Sequence, residues 1–301
     1  MGRIAFVFSG QGDQHPGMGK DFYEKYSVAK DVFEMCESIR KGTKAQCFDG
    51  TDEQLQSTIN TQPCLFAMEL AAASVLIEKG IKPDVVAGFS LGEVVAATVA
   101  GVVDNQTGFS LVCKRAELMQ QASENHAMQM AAVVKLSNDQ VIATCDEFEG
   151  VYPVNFNCPG QVTVSAIAEQ MTKFSARVKE IGGRAIPLKV KGGFHCPYMA
   201  EASKAFLKVL DDVNLEPPKI VLYSNYTAKP YGDNQKELLS KQICSPVLWE
   251  QSVRNMILDG IDTFIEVGPG RTLSNMIKKI DSTVKVYSVL DLENIISEVS
   301  V

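Results

Sequence analysis

The stretch "DVVAGFSLGEVVAATVAG" constrains this chain more than any other. Asp84 to Ala87 read as a short apolar strand and Leu91 to Ala100 as an alanine- and valine-rich helix, so the chain must reverse at Ser90. Gly88 and Gly92 flank that serine in the pattern G-x-S-x-G, where a Cβ at either position would clash in so sharp a turn. A strand, turn and helix of this kind set a hydroxyl above the carboxyl edge of a sheet, beside the free amides of a helix N-terminus. The fold class is therefore α/β, and Ser90 is a candidate nucleophile. The same spacing also arises by chance, and a serine at a helix start often serves only as an N-cap. The reading needs a base and an oxyanion hole.

Composition narrows the field. At 301 residues, with 46% hydrophobic and 22% charged residues, the chain has room for one large α/β domain or for a large domain with a smaller insertion. A net charge of −7 argues against nucleic acid as the main ligand, because phosphate backbones attract basic surfaces. The eight cysteines are scattered without a C-x-x-C pair, which suits neither a zinc knuckle nor a disulfide framework. No apolar run approaches a membrane-spanning length, and "MGRIAFVFSGQG" reads as a buried strand rather than a signal peptide, so a cytoplasmic location is expected.

The chain has three histidines. His15 lies in the glycine-rich loop "GQGDQHPGMG" and His126 in the polar stretch "SENHAMQ", where solvated loop histidines are the simpler reading. His195 follows an apolar strand (Ile186 to Val190) and Gly192-Gly193, just past a strand's carboxyl end, where α/β folds keep their chemistry. A satisfied loop histidine is the alternative, but beside an elbow serine it is the natural general base. The opening "IAFVFSGQGDQHPGMG" invites a phosphate-binding reading that fails in detail. A dinucleotide fingerprint from Gly10 would need glycine where His15 stands, and a P-loop ending at Gly19-Lys20 would need glycine at Gln14 and Ser or Thr at Asp21. What remains is a loop whose small residues let backbone N–H groups approach a ligand, as an oxyanion hole requires.

The blocks "FVFSGQGDQHPGMG", "TQPCLF", "AGFSLGE", "GGFHCPYM", "QICSPVLW" and "EVGPGRTL", in this order from near Ile4 to about Asp291, resemble the malonyl-CoA:acyl carrier protein transacylases and the related acyltransferase domains of polyketide synthases. The resemblance implies that Ser90 takes the acyl group and His195 activates it. It implies that the Gln242 backbone carbonyl orients the histidine and that the Gln11 and Leu91 amides form the oxyanion hole. Arg115, in "SLVCKRAELMQ", matches the arginine that binds the malonyl carboxylate, a bidentate task that lysine cannot copy. Without the resemblance Arg115 reads as a solvated helix residue like its neighbour Lys114.

One position departs from the family pattern. Phe89 precedes the nucleophile where the family usually has histidine, which removes a polar group from the acyl pocket but leaves the serine and base untouched. Phe194 matches many malonyl-selective members, where its bulk disfavours an α-methyl group. Cys196 is the poorer nucleophile, because adjacent side chains diverge along an extended chain.

Between the elbow helix and His195 the chain reads as an inserted βαββαβ module of ferredoxin-like order, which the resembled family also has. It comprises strand Met128–Leu136, a helix capped by Ser137, a hairpin about Pro159-Gly160, a helix Glu169–Ile181 and strand "RAIPLKV". The expected organisation is a large α/β-hydrolase-like subdomain over 1–125 and 191–301, with strands at 4–8, 84–87, 220–224, 263–267 and 284–288, and a small subdomain over 126–190. The polar segment "CFDGTDEQLQSTINTQP" reads as surface turns and a short helix.

The resemblance implies transfer of malonyl from malonyl-CoA to the phosphopantetheine thiol of acyl carrier protein through a malonyl-serine ester, with no metal or redox cofactor. A discrete polyketide acyltransferase would use the same site. An esterase-type hydrolase also has a G-x-S-x-G elbow, but its histidine lies near the C-terminus, whereas about a third of this chain follows His195. A non-catalytic docking subunit would have no use for serine, base and arginine together. A monomer is the default expectation.

Overall fold

The computed structural model describes residues 2–188, 190 and 192–299. Among these, nine strands run as β1 (Arg3–Phe8), β2 (Val85–Gly88), β3 (Met128–Val134), β4 (Val151–Cys158), β5 (Gln161–Ile167), β6 (Arg184–Pro187), β7 (Val221–Tyr223), β8 (Ile261–Val267) and β9 (Lys285–Ser288). They form two sheets, one in the order β7-β2-β1-β8-β9 and one in the order β4-β5-β3-β6. Every pairing in the first is parallel and every pairing in the second antiparallel.

The parallel sheet follows from continuous apolar runs. Ile4 to Phe8 are all buried, as expected of a central strand covered on both faces. Phe8 pairs with Gly88 on one side and with Val267 on the other, so three strands end level and their following loops share one edge. Layers of helix cover both faces. On one side the helix Thr58–Glu78 is buried along almost its whole length, against the helices Ser27–Ile39 and Asn105–Glu124. On the other lie Trp249–Leu258 and Thr272–Ile280.

The second sheet carries the helices Asn138–Asp146 and Ala168–Glu180, which close their own core with residues such as Val133, Val162 and Phe174. Ser137 caps the first of these with a reciprocal Gln140 contact, and Gly160 takes φ +71° in the β4–β5 hairpin. A short bridge joins the two units: Phe156 N–H donates to the Val247 carbonyl at 2.9 Å and Val247 N–H to the Val154 carbonyl at 2.8 Å. The cleft between the units opens over the carboxyl edge of the parallel sheet, where Gln11 and Phe89 face Met130, Asn155 and Leu188.

Two expectations need correction. The polar segment over 47–63 is not a surface loop throughout. After Asp52–Gln56 the long helix already starts at Thr58, and Thr58, Thr61, Gln62 and Pro63 are buried. Pro63 cannot donate to the carbonyl of Ile59, and the Arg40 guanidinium approaches that carbonyl at 3.4 Å instead. The expected strand Ile186–Val190 ends earlier, at Pro187, and includes Lys189, which lies outside the described residues. Among the described residues no helix is long and apolar enough to cross a membrane.

Candidate active site

Ser90 occupies the turn between β2 and the helix Gly92–Val99 with φ +56°, a left-handed conformation that costs a non-glycine residue about 1–3 kcal/mol. The flanking glycines are sterically required: a Cβ on Gly88 would lie 1.9 Å from the Gly92 carbonyl carbon, and one on Gly92 would lie 2.3 Å from the Phe8 carbonyl oxygen. The strain is opposed by a clamp from the loop after β7. Asn225 Oδ1 accepts from the Ser90 N–H at 2.7 Å, while its Nδ2 donates to the Gly88 carbonyl at 2.5 Å.

His195 Nε2 lies 2.8 Å from Ser90 Oγ, and its Nδ1 lies 2.7 Å from the Gln242 carbonyl oxygen. A carbonyl can only accept, so Nδ1 carries the proton and Nε2 is free to accept from the serine hydroxyl. Burial pushes His195 down to about 4, with the positive charge of Arg115 acting the same way against the hydrogen bond to Gln242. The imidazole is therefore neutral at pH 7 and ready to take a proton.

Arg115 is fully buried, on the helix Asn105–Glu124. Its Nη2 donates to Ser90 Oγ at 3.2 Å and to Gln242 Oε1 at 2.8 Å, and its Nη1 donates to Gln62 Oε1 at 2.6 Å. Its Nε–H is buried and has no partner among the described residues. Desolvation lowers its pKa to about 10, which still leaves a full cation at neutral pH. The nearby acid is Glu93, on the elbow helix, which burial raises to about 8. Glu93 Oε1 accepts from the Tyr231 hydroxyl at 2.7 Å and from the Asn225 N–H at 3.2 Å.

A cavity of about 80 Å³ opens on these groups, lined by Gln11, Leu91, Met119, Met130 and Phe194 among others. Phe89 forms part of its wall and packs edge-on against Trp249 at 5.8 Å between ring centres. A second cavity of about 200 Å³ adjoins it through Gln11, Phe89, Asn155 and Leu188. There the side-chain oxygens of Asn155 and Asn157 are buried and have no hydrogen-bond partner among the described residues.

Every candidate residue thus borders one pocket or supports a residue that does. Ser90, His195, Arg115, Gln11 and Leu91 line it, and Gln242 lies behind them. His15 and His126 are exposed elsewhere, the latter against the Tyr198 ring. Cys196 is buried, and desolvation raises its thiol, which disfavours the thiolate. Three residues went unassigned in the sequence reading: Gln62, Glu93 and Asn225. A lone acid in the apolar run "LGEVVAATVA" was a usable signal for Glu93. Nothing local distinguishes Asn225.

The Acyl transferase domain family matches residues 5–293. The malonyl CoA-acyl carrier protein transacylase of Bacillus subtilis (strain 168) is 37% identical over 303 residues, covering 98% of this chain and 96% of that protein. The crystal structure of malonyl CoA-acyl carrier protein transacylase from Clostridium perfringens superposes with a TM-score of 0.95 at 34% identity, covering 99% of this chain and 97% of that one. A structure described as a type II PKS acyl-carrier protein in complex with its malonyl-transacylase aligns at a TM-score of 0.90 and 32% identity, covering 95% and 94%. With its elbow serine, its histidine and its buried arginine at one pocket, the chain belongs to the acyl transferase family.

Proposed function

We propose that this protein transfers a malonyl group from malonyl-CoA to the phosphopantetheine thiol of an acyl carrier protein by a ping-pong route. The observation that carries the reading is the position of Ser90 Oγ, 2.8 Å from a neutral imidazole and 3.2 Å from a fully buried guanidinium. Ser90 attacks the thioester carbonyl as its proton passes to His195 Nε2. The Gln11 and Leu91 amides hold the oxyanion. Collapse expels the coenzyme A thiolate, which takes the proton from His195. The carrier thiol then attacks the malonyl-serine ester with the same base, and Ser90 recovers its proton. Arg115 pairs with the malonyl carboxylate, and the Gln242 carbonyl keeps the imidazole in its productive tautomer. No step draws on a metal or redox cofactor. The adjoining cavity, whose Asn155 and Asn157 side-chain oxygens have no partner among the described residues, suits an amide-bearing pantetheine arm.

The larger unit is read as α/β-hydrolase-like, over 1–125 and 191–301, and the smaller as ferredoxin-like, over 126–190. The protein acts as a cytoplasmic monomer in fatty-acid supply on this reading. A polyketide carrier is the second substrate to test, because one of the similar structures pairs a transacylase with a type II PKS carrier protein. Intact-mass analysis after exposure to malonyl-CoA tests the scheme. A malonyl adduct is expected on the wild type, discharged by carrier protein rather than by water, and none on Ser90→Ala. Persistence of the adduct in Ser90→Ala moves the nucleophile elsewhere, and rapid discharge by water makes the protein a hydrolase.

A further inference from the structure

The block "EVGPGRTL" has no part in the chemistry above, yet it packs against the loop that carries Gln11. That loop leaves β1 at Ser9, whose hydroxyl donates to Glu69 Oε1 at 2.5 Å. Glu69 lies on the long helix Thr58–Glu78 and is fully buried, with its Oε2 unpartnered among the described residues. Burial pushes its carboxyl well above the usual range; the bonds from Ser9 oppose this, while the charges of Glu266 and Asp13 add to it.

At the other end of the loop, Asp13 Oδ1 accepts from Thr272 Oγ1 at 2.5 Å. Thr272 is fixed in turn, because the Glu266 carboxylate accepts from the Leu273 and Ser274 N–H groups at 2.9 and 2.8 Å. The two glycines of the block admit this packing. A Cβ on Gly268 would lie 2.7 Å from Ser9 Oγ, and one on Gly270 would lie 2.3 Å from Asp13 Cγ. Both ends of a five-residue span are therefore tied to rigid elements, with Gln11 at its centre.

We propose that Glu69 is a positioning residue for acyl transfer, which fixes the Gln11 amide by holding Ser9 while Thr272 holds Asp13 across the loop. This rests on the acyl-serine reading and adds to it a buried carboxyl that never touches substrate. Oxyanion donors act through placement, and a displacement near 1 Å costs about a hundredfold in rate. Glutamine at 69 retains an oxygen that accepts from Ser9, whereas leucine fills the space without one.

The test uses malonyl-CoA labelled with ¹³C at the thioester carbonyl and reads the Ser90 ester by difference infrared spectroscopy, alongside the pre-steady-state acylation rate. In the wild type the ester band should lie below that of a malonyl ester in water. In Glu69→Leu it should rise towards the aqueous position, with acylation slowed on the order of 10- to 100-fold and malonyl-CoA KM little changed. Glu69→Gln should stay near the wild type in both readouts. Ser9→Ala, which removes the same bond from its other end with less change of volume, should follow the leucine variant and decides the matter if that variant does not fold. An unshifted band in Ser9→Ala and in folded Glu69→Leu overturns the inference, as does a glutamine variant as impaired as the leucine one. Absence of any ester in the wild type overturns the acyl-serine reading itself.

Discussion

Gln242 serves the site with three different atoms. Its backbone carbonyl accepts from His195, its side-chain oxygen accepts from Arg115, and its Nε2 donates to the Ser90 carbonyl at 3.0 Å. One residue therefore ties His195, Arg115 and Ser90 into a single geometry, of which the sequence reading had assigned the carbonyl alone. Arg115 joins charge to acidity in the same way. Its cation helps to hold His195 down and, on the proposed reading, also pairs with the malonyl carboxylate. Arg115→Ala should consequently move two measurements. The malonyl-over-acetyl ratio of kcat/KM should collapse by a factor on the order of 100 or more, since an unpaired carboxylate in a dry pocket costs several kcal/mol. The acid limb of residual acetyl transfer should shift upward from near pH 4, because one of the two causes depressing His195 has gone, though its burial remains. An unchanged ratio removes Arg115 from substrate binding.

At the scale of elements, the elbow helix carries a hidden cost. Glu93 is fully buried one turn after Ser90, and its carboxyl is raised from 4.5 to about 8. The unfolded chain releases this proton near pH 4.5 and the folded chain only near 8, so folding stability falls as pH rises through that window. The slope is at most about 1.4 kcal/mol per pH unit. Glu93→Gln keeps an oxygen for Tyr231 and Asn225 and has no proton to lose. Urea unfolding should show the variant gaining on the wild type steadily from pH 5 to pH 8; parallel curves would place the charge elsewhere. Elements also show where the sequence was legible. The elbow could be read because the steric demand at Gly88 and Gly92 is local to five residues. The helix Thr58–Glu78 was missed at its start because it buries polar Thr58, Thr61 and Gln62 while Ile59 is exposed, so its first turns carry no amphipathic stripe, and Pro63 signals a break that the helix runs through. Gln62 and Asn225 reach the site only through tertiary approach; the Asn225 bond to Ser90 spans 135 residues of sequence. No short-range pattern encodes such a contact.

Across the whole molecule, a mixed α/β chain with a parallel sheet and a separate antiparallel sheet was readable because strands and helices differ in period and in their punctuating glycines. The attachment of the antiparallel sheet was not. The bridge through Val154, Phe156 and Val247, and the packing of the helices Trp249–Leu258 and Thr272–Ile280 on β4, tie the smaller unit to the larger. Chemical denaturation should therefore follow one transition, with tryptophan emission from Trp249 and far-ultraviolet dichroism changing together. Two separated transitions would mean that the units melt independently.

That bridge also joins the two walls of the cleft along one side. A seam stitched on one side leaves the opposite side of the cleft open, so a long molecule can reach the pocket with its leading end while its bulk stays outside. On the proposed reading, a nucleotide and a whole folded protein can present the same slender arm in turn, and the slot need not be rebuilt between them.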